Sequence, residues 1–415
     1  MRADGVSGPP RVLRHLNRNH VLRVVRESGP ISRPAIAQLT GLSRPTVNDV
    51  VGELVRGGVV DDGFTEPASA RPGPRARLVS FRARAGHVLG VDIGGTKVVV
   101  HLADLAGTIL ATRRARTAAA RSRTDVLRTV RDCADQVIAM AQIPLSSVRA
   151  VGVGTPGVVD PATGALALAP QLPDWEGIVL SEELDPRLDA PVHVANEVHL
   201  AVLGERWRGA ARDVRDAVYL HIGVGIGLGI LIDDQLYRGS AGAAGEIGYL
   251  PLTDADADRP EGIGALEYAA SGAGFARRGR LAAEKPGGER LRELAGGDPD
   301  AVSAETIFQA LRDGDPVAAG ITEELVELLA RATASACLVL NPATVILGGG
   351  LSQAGAALAE PLARRVRSLV PIPPRLEISE LGDLAVAYGA VRLALDVSDE
   401  RLYRMSANGE RRRTP

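Results

Sequence analysis

The chain contains very few lysines, cysteines and aromatic residues. Lysine occurs only as Lys97 and Lys285, so arginine supplies almost all of the 48 basic side chains. Cys133 and Cys337 are the only cysteines, and two isolated thiols exclude a disulfide framework and a cysteine-based metal site. Aromatic residues are 3% of the chain and apolar residues 45%, so its cores must consist mainly of Val, Leu, Ile and Ala.

Long apolar segments are absent as well. The first residues contain no apolar stretch of the kind that a signal peptide needs. No apolar run reaches the roughly 18 residues of a membrane-spanning helix. We therefore expect a cytoplasmic protein that has no membrane partner.

The charges are distributed unevenly along the chain. Residues 1–84 carry 14 arginines and 7 acidic side chains, whereas the remaining residues carry 34 basic and 43 acidic ones. A basic front end on an acidic body predicts a polyanionic partner for the front end.

Three short helices are predicted in this basic segment from apolar spacing and capping residues. Thr40-Gly41-Leu42 forms a tight turn before the third helix, and Ser43 caps that helix. Two short helices joined by a glycine-containing turn are typical of a helix-turn-helix, whose second helix enters the major groove of double-stranded DNA. Two strands would follow as a wing. The predicted helices cover residues 12–27, 32–39 and 43–56, and the strands cover residues 58–64 and 77–81.

The side chains expected to meet DNA lie around the third helix and in the wing. Asn48 suits adenine, and Arg44 suits guanine or a phosphate. The segment 70–75 places arginines on a stiff, proline-containing backbone, which suits either a narrow minor groove or a linker whose arginines are only solvated. The expected DNA contacts are Arg33, Ser43, Arg44, Thr46, Asn48, Arg71 and Arg75.

From residue 86 onward the pattern changes to an α/β one. The order strand, strand, strand, helix, strand occurs first over residues 88–153 and again over residues 217–347. This repetition predicts two similar α/β lobes. The polar residues from Ser398 onward are expected to form a frayed tail.

Four glycine-rich turns each follow an apolar strand. They are Asp92-Ile93-Gly94-Gly95-Thr96-Lys97, Gly154-Thr155-Pro156-Gly157, Gly223-Val224-Gly225-Ile226-Gly227 and Gly348-Gly349-Gly350. Glycine lets backbone amides approach phosphate oxygens, and an aspartate at such a turn can hold a hydrated metal ion. The predicted nucleotide-phosphate set is Asp92, Gly94, Gly95, Thr96, Lys97, Gly223, Gly225, Gly348 and Gly349.

These turns, together with Ala244-Gly245-Glu246-Ile247-Gly248 and with Leu266-Glu267 followed by Ser271, resemble the ROK family of repressors and kinases. The resemblance runs from about residue 13 to 395, and the helix-turn-helix in front is the layout of the repressor branch. It implies an α/β, actin-like (ribonuclease H-like), two-lobed sugar-kinase fold preceded by a mainly α winged helix-turn-helix domain. It also implies a homodimer or tetramer. The expected divisions are 12–81, 82–195 with about 386–397, 196–385, and a polar tail over 398–415.

The resemblance implies a sugar site, in which this chain departs from the family pattern. The implied sugar contacts are Asn196, Glu197, Glu246, Tyr249 and Glu267. The kinases have aspartate as the general base where this chain has Glu197, whose extra methylene displaces the carboxylate by about an ångström and can cost ~10²-fold in rate. Val224 stands where the family has a threonine that meets a phosphate.

The zinc ligands of the family are also replaced in this sequence. Tyr249 stands in the place of a histidine, and the three cysteine positions align with Asp258, Pro260 and Ala265. A carboxylate and a phenol do not make a structural zinc site. We therefore expect no zinc and no other bound metal.

These observations predict a DNA-binding transcription regulator, a repressor of carbohydrate-metabolism genes, whose kinase-like domain senses a sugar or sugar derivative and requires no cofactor. One alternative is an ATP-dependent sugar kinase, using ATP and Mg²⁺, with a DNA-binding front end. Another is a regulator with an empty cleft that works by dimerisation alone.

Overall fold

The computed structural model of the chain describes residues 10–65, 77–117, 122–169, 172, 174–185, 187–252 and 259–408, without the side chains of 10–13, 15, 64–65 and 400–408. The predicted DNA contacts Arg71 and Arg75, and the aligned zinc position Asp258, lie outside the described residues.

Three helices and a small antiparallel sheet form the N-terminal unit, as predicted. Ser32 and Ser43 begin the second and third helices, because their hydroxyls accept from Ala35 N at 3.4 Å and Thr46 N at 3.3 Å. Gly41 takes a positive φ of 69° in the intervening turn. The elements are α1 (Pro10–Ser28), β1 (Ile31–Ser32), α2 (Arg33–Thr40), α3 (Arg44–Arg56), β2 (Val60–Thr65) and β3 (Arg77–Phe81), with sheet order β1-β3-β2.

The first α/β lobe contains a five-stranded mixed sheet. Its strands are β4 (His87–Ile93), β5 (Lys97–Asp104), β6 (Ile109–Arg116), β7 (Val148–Thr155) and β10 (Val192–Asn196), in the order β10-β7-β4-β5-β6. The helix α4 (Arg123–Met140) buries one apolar face against this sheet. Between β7 and β10 lie β8 (Val158–Val159), β9 (Leu166–Ala167) and α5 (Leu180–Glu183). The sheet carries β4 in its centre, so the residues that follow β4 emerge at the middle of the lobe.

The second lobe repeats this sheet topology. Its strands are β11 (Ala217–Ile222), β12 (Ile226–Ile232), β13 (Gln235–Leu236), β14 (Thr344–Gly348) and β15 (Arg375–Ile378), in the order β13-β12-β11-β14-β15. In both lobes three antiparallel strands are continued by two parallel ones. The predicted duplication of an α/β unit is therefore confirmed.

Helices fill the outer layer of the second lobe and join the two lobes. They are α6 (Glu197–Arg208), α7 (Ala265–Ala270), α8 (Gly272–Ala283), α9 (Glu289–Leu294), α10 (Ala304–Arg312), α11 (Pro316–Leu340), α12 (Ala356–Leu369) and α13 (Ala385–Asn408). Short 3₁₀ turns occur at Ala83–Ala85, Leu145–Ser147, Ile247–Tyr249, Pro299–Ala301, Gly350–Ala354 and Gly382–Leu384. Among the described helices, none is both long and apolar enough to cross a lipid bilayer.

The helix α13 returns from the second lobe and packs on α6 and on β4 and β7 of the first lobe. Glycines make this close approach feasible. A Cβ at Gly389 would lie 2.5 Å from the Leu200 carbonyl carbon of α6, and one at Gly90 would lie 2.6 Å from the Val391 nitrogen. These distances are well below van der Waals contact, so the helix and its seat touch backbone to backbone.

The predicted frayed tail from Ser398 is wrong for the residues up to Asn408, because they continue α13. Ser398 is 1% exposed. Asp399 accepts two hydrogen bonds from Arg26 of α1, at 2.6 and 2.7 Å. A polar sequence was mistaken for a solvated one, whereas Asp399 within it pairs with the N-terminal unit.

Candidate ligand cleft and DNA-reading surface

A cleft of about 780 Å³ lies between the two lobes. Three of the four predicted glycine turns line it: residues 94–97 from the first lobe, and 223–225 and 349–350 from the second. Asp92 and Glu197 line it as well. The fourth turn lies beside the cleft, where Gly157 accepts a hydrogen bond from Asn196 Nδ2 at 2.9 Å. Gly348 ends β14 directly before the cleft-lining residues.

Asp92 lies at the end of β4 and is 2% exposed. Its Oδ1 has no hydrogen-bond partner among the described residues, although the residue lines the cleft. Burial raises the pKa of Asp92 to about 7, against the opposing charge of Lys97. A buried, unsatisfied carboxylate oxygen is costly, so this atom is well suited to a bound cation or hydroxyl.

Lys97 is held by a residue that sequence analysis missed. Its Nζ lies 3.1 Å from Asp383 Oδ2 and donates to the Asp383 carbonyl at 3.3 Å. Arg114 donates to the same carboxylate at 2.8 Å. Burial opposes the ionisation of Asp383, but these two cations hold its pKa below the ordinary value. The Leu381-Gly382-Asp383 turn before α13 was the available signal.

The second-lobe turn is shorter than predicted. Gly223 N donates to Gly225 O at 2.9 Å, and Ile222 pairs with Ile226 across the hairpin. Ile226 and Gly227, which were predicted to lie in the turn, therefore belong to β12. Val224 is 56% exposed at the tip of this turn and lines the cleft.

The Gly348-Gly349-Gly350 turn depends on close backbone packing. Gly349 has a φ of 81°, and a Cβ there would lie 2.6 Å from the Ile222 carbonyl carbon. A Cβ at Gly348 would overlap the Tyr219 hydroxyl. Tyr219 and His221 also line the cleft and were missed, because alternation in β11 alone does not show which face meets the other lobe. Burial lowers the pKa of His221 to about 4, so this side chain is neutral near pH 7.

Asn196 and Glu197 lie at the junction of β10 and α6. Asn196 Oδ1 accepts from Val198 N at 2.8 Å and His199 N at 3.3 Å, so this side chain is the N-cap of α6. The cap places Glu197 at the first helical position, in the cleft. Asn196 itself lines a separate cavity of about 350 Å³.

The acidic side chains of the predicted sugar set influence one another. Burial raises the pKa of Glu197 to about 8, and the charges of Asp92, Glu246 and Glu267 raise it further. Burial, followed by the charge of Glu267, raises the pKa of Glu246. Burial also raises the pKa of Glu267, although its Oε2 accepts from Ile226 N at 3.1 Å. The structure thus brings the three predicted carboxyl groups near enough to influence one another, although only Glu197 of the three lines the cleft.

Tyr249 lies beside these acids on the 3₁₀ turn Ile247–Tyr249 and is 42% exposed. Burial and the charges of Glu267 and Glu246 raise its pKa. Its hydroxyl donates to the Gly262 carbonyl at 2.6 Å. Pro260 and Ala265, at two aligned cysteine positions, have no side-chain ligand atoms, so these residues do not fit a zinc ion. Among the described residues, no group of three or more His, Cys, Asp or Glu side chains is arranged to hold a metal.

The third helix of the N-terminal unit presents its predicted reading side chains at the surface. Arg44 and Asn48 are exposed, while Thr46 is half-buried with its hydroxyl 2.8 Å from that of Ser43. Val47, Val50, Val51 and Leu54 are buried in the opposite face. Arg33 donates to Asn48 Oδ1 at 3.0 Å and pairs with Asp62 of the wing at 2.7 Å.

A direct connection joins this reading unit to the cleft. Arg26 of α1 pairs with Asp399 near the end of α13, and its guanidinium lies 4.6 Å from the centre of the Phe81 ring. At the other end of α13, Val386 lines the cleft. The same helix therefore contacts both the cleft and the reading unit.

Comparison with known proteins assigns both parts of the chain. The sequence model of the ROK family matches residues 88–397, and that of a winged helix-turn-helix DNA-binding domain matches residues 9–61. A xylose repressor of Caldicellulosiruptor bescii is 28% identical over 393 residues, which are 92% of this chain and 96% of that protein.

Two solved structures resemble the fold. A ROK family glucokinase from Streptomyces griseus, in complex with glucose and AMPPNP, has a TM-score of 0.64 and 29% identity, covering 75% of this chain and all of its own. A ROK family transcriptional regulator, a homologue of the Escherichia coli MLC protein, has a TM-score of 0.74 over 94% of this chain and 97% of its own. At 23% identity, the second likeness shows the shared fold.

Proposed function

The chain belongs to the ROK family, and we propose that it is a DNA-binding transcription regulator, a repressor of carbohydrate-metabolism genes, whose cleft senses a sugar or sugar derivative. The observation that carries this proposal is the capped third helix, which presents Arg44 and Asn48 to solvent in a basic N-terminal unit. Such a helix suits the major groove, and the basic charge suits the phosphate backbone. The likeness to a xylose repressor over 92% of the chain supports it.

The acidic side chains around Glu197 suit a polyhydroxylated ligand. A carboxyl with a pKa of about 8, as at Glu197, is mostly protonated at pH 7 and can donate as well as accept hydrogen bonds. Glu246 and Glu267 add acceptor oxygens beside it. Sugar hydroxyls both donate and accept, so they match this set. We propose Asn196 as a residue that holds Glu197 in place, with Tyr249 at the rim.

Ligand binding would reach the DNA-binding unit through two packed helices. Glu197 is the first residue of α6, and α6 packs along α13. A movement of α6 towards a ligand would displace α13, whose far end contacts α1 through Asp399. In a homodimer or tetramer, this displacement would change the separation of two reading helices on an operator in the cytoplasm. No cofactor is required for such a switch.

A second candidate function is an ATP-dependent sugar kinase. It is favoured by the unsatisfied Oδ1 of Asp92 beside the first glycine turn, where Mg²⁺ of a bound nucleotide would be held. The glutamate at position 197 and the exposed Val224 oppose it, since phosphoryl transfer depends on exact positioning. Turnover of ~1–10³ s⁻¹ in a coupled ADP-release assay over hexoses, amino sugars and pentoses would favour the kinase.

The proposal is tested by DNA binding of the full chain. We expect preference for some duplex sequences over others, and an affinity that falls linearly with salt on logarithmic axes. Binding that is absent, or equal for all sequences, would contradict the proposed regulator. Thermal stabilisation by a sugar would separate it from a regulator with an empty cleft.

A further inference from the structure

The side chains of Arg33, Asn48 and Asp62 form a linked group on the DNA-reading surface. We propose that Arg33 is a positioning residue, which sets the orientation of the Asn48 amide for base reading and does not itself contact DNA. This inference rests on the proposed function and assigns to Arg33 a role different from the direct contact expected from the sequence.

The geometry fixes the guanidinium between α3 and the wing. Arg33 Nη1 donates to Asn48 Oδ1 at 3.0 Å, and Nη2 donates to Asp62 Oδ2 at 2.7 Å. Arg33 and Asp62 are partly buried, with side chains 30% and 18% exposed, whereas Asn48 is exposed. Because the guanidinium is planar and rigid, an anchor on one nitrogen also aims its neighbour.

The hydrogen bond determines which way the Asn48 amide faces. An asparagine amide can rotate between two similar orientations that exchange oxygen and nitrogen. Arg33 can only donate, so it selects the orientation with Oδ1 towards α2 and the amide nitrogen away from it. Base reading needs the donor and the acceptor in the correct order. Without Arg33, the amide can also take the second orientation, which presents the wrong group to the base.

The positive charge of Arg33 is largely neutralised by an ion pair within the protein. Its guanidinium pairs with the Asp62 carboxylate, and the side chain is two-thirds covered. A phosphate contact would require it to leave this partner. Arg44, on the same surface, is exposed and remains the better phosphate ligand.

The test is selection of binding sites from a pool of random duplexes, combined with salt titration, for the full chain and its variants. We expect Arg33→Ala and Asn48→Ala to lose preference at the same base pair, by about 5- to 150-fold, with other positions unchanged. The salt slope should stay the same for Arg33→Ala. Arg56→Ala, at the exposed far end of α3, is the control for loss of one positive charge.

Asp62→Asn provides the sharpest contrast. It keeps the charge of Arg33 and weakens its anchor, because an amide oxygen accepts less strongly than a carboxylate, so preference at the Asn48 base pair should fall. At the same time, non-specific affinity should rise, because an acid near the phosphates is lost. A residue with a merely structural role would not move these two readouts in opposite directions. Thermal unfolding establishes that each variant is folded, and Arg33→Lys, which keeps the charge without the fork, should also lose the preference.

Three results would overturn the positioning role. A uniform loss of affinity and a salt slope lower by about one in Arg33→Ala would make Arg33 a phosphate contact. If Arg33→Ala lost preference at a different base pair from the one affected by Asn48→Ala, Arg33 would itself be a base reader. Unchanged preference in Arg33→Ala would leave it without either role. A parent protein without any sequence preference would instead overturn the proposed function itself.

Discussion

The crossing of α6 and α13 is the packing contact on which the proposed switch depends most. Gly389→Ala adds one methyl group to this crossing. The added Cβ would lie 2.5 Å from the Leu200 carbonyl carbon and 2.9 Å from its Cα, and would overlap the carbonyl oxygen. Ordinary contacts begin near 3.4 Å, so the helices must separate by roughly 1 Å. Because the obstacle is backbone, no rotamer change can relieve it.

Overpacking of this kind costs ~1–3 kcal/mol, and sometimes more. Alanine improves intrinsic helix propensity by up to about 1 kcal/mol, which offsets part of the loss. We expect Gly389→Ala to lower the unfolding free energy by about 1–2 kcal/mol, and the midpoint of thermal unfolding by about 1–2 °C in a chain of this size. Since α6 carries Glu197 at its start, affinity for the sugar should fall as well.

The matched control is Gly320→Ala in α11, where a Cβ would meet nothing within 4 Å. Because it only improves helix propensity, it should raise stability by about 0.5–1 kcal/mol. Thermal and urea unfolding measure both variants. If Gly389→Ala were as stable as Gly320→Ala and bound sugar normally, the close helix crossing would not exist as described.

Three further predictions concern the cleft and its connection to DNA. Stability should fall as pH rises from 4.5 to 8, because in this window the folded protein holds the Glu197 proton that the unfolded chain releases. In Glu197→Gln, the urea midpoint should depend less on pH. Parallel pH profiles of the parent protein and the variant would contradict the raised pKa of Glu197. If the longer glutamate side chain at position 197 prevents phosphoryl transfer, Glu197→Asp should increase the rate of sugar-dependent ADP release. An unchanged rate would mean that another residue, such as Val224, prevents the transfer. Asp399→Asn should lower the unfolding free energy by about 1–2 kcal/mol, because it weakens the partly buried pair with Arg26. It should also reduce the effect of sugar on DNA affinity. An unchanged sugar effect would exclude this contact from the switch.

The helix-turn-helix and the two sheets could be predicted because their signals are local. Ser32, Ser43 and Gly41 mark helix ends within a few residues, and the strands before the glycine turns are mainly apolar. Three of the glycine turns were predicted to supply one phosphate site, and residues of these three turns line the same cleft. The residues at each turn were therefore sufficient to predict this part of the cleft.

The remaining features depend on contacts between distant segments. Asp383 becomes a cleft residue only because α13 returns to the first lobe and brings it to Lys97. The edge strand β15 was missed, because Arg375–Ile378 is mostly exposed and lacks apolar alternation. Sequence alone also does not reveal that Arg33 contacts Asn48, since the two residues lie on different helices and the Arg33 guanidinium is held by Asp62 of the wing.

The most direct test of the account is the DNA affinity of the full chain with and without sugar. Fluorescence anisotropy would follow binding to labelled DNA from upstream of its own gene, at fixed salt and without ATP, over a panel of hexoses, amino sugars and pentoses. We predict that one sugar changes the affinity by about 5- to 150-fold, as expected for a coupling of ~1–3 kcal/mol between two sites. An affinity that no sugar changes, together with sugar-dependent ADP release at enzymatic rates, would contradict a sensor and establish a kinase.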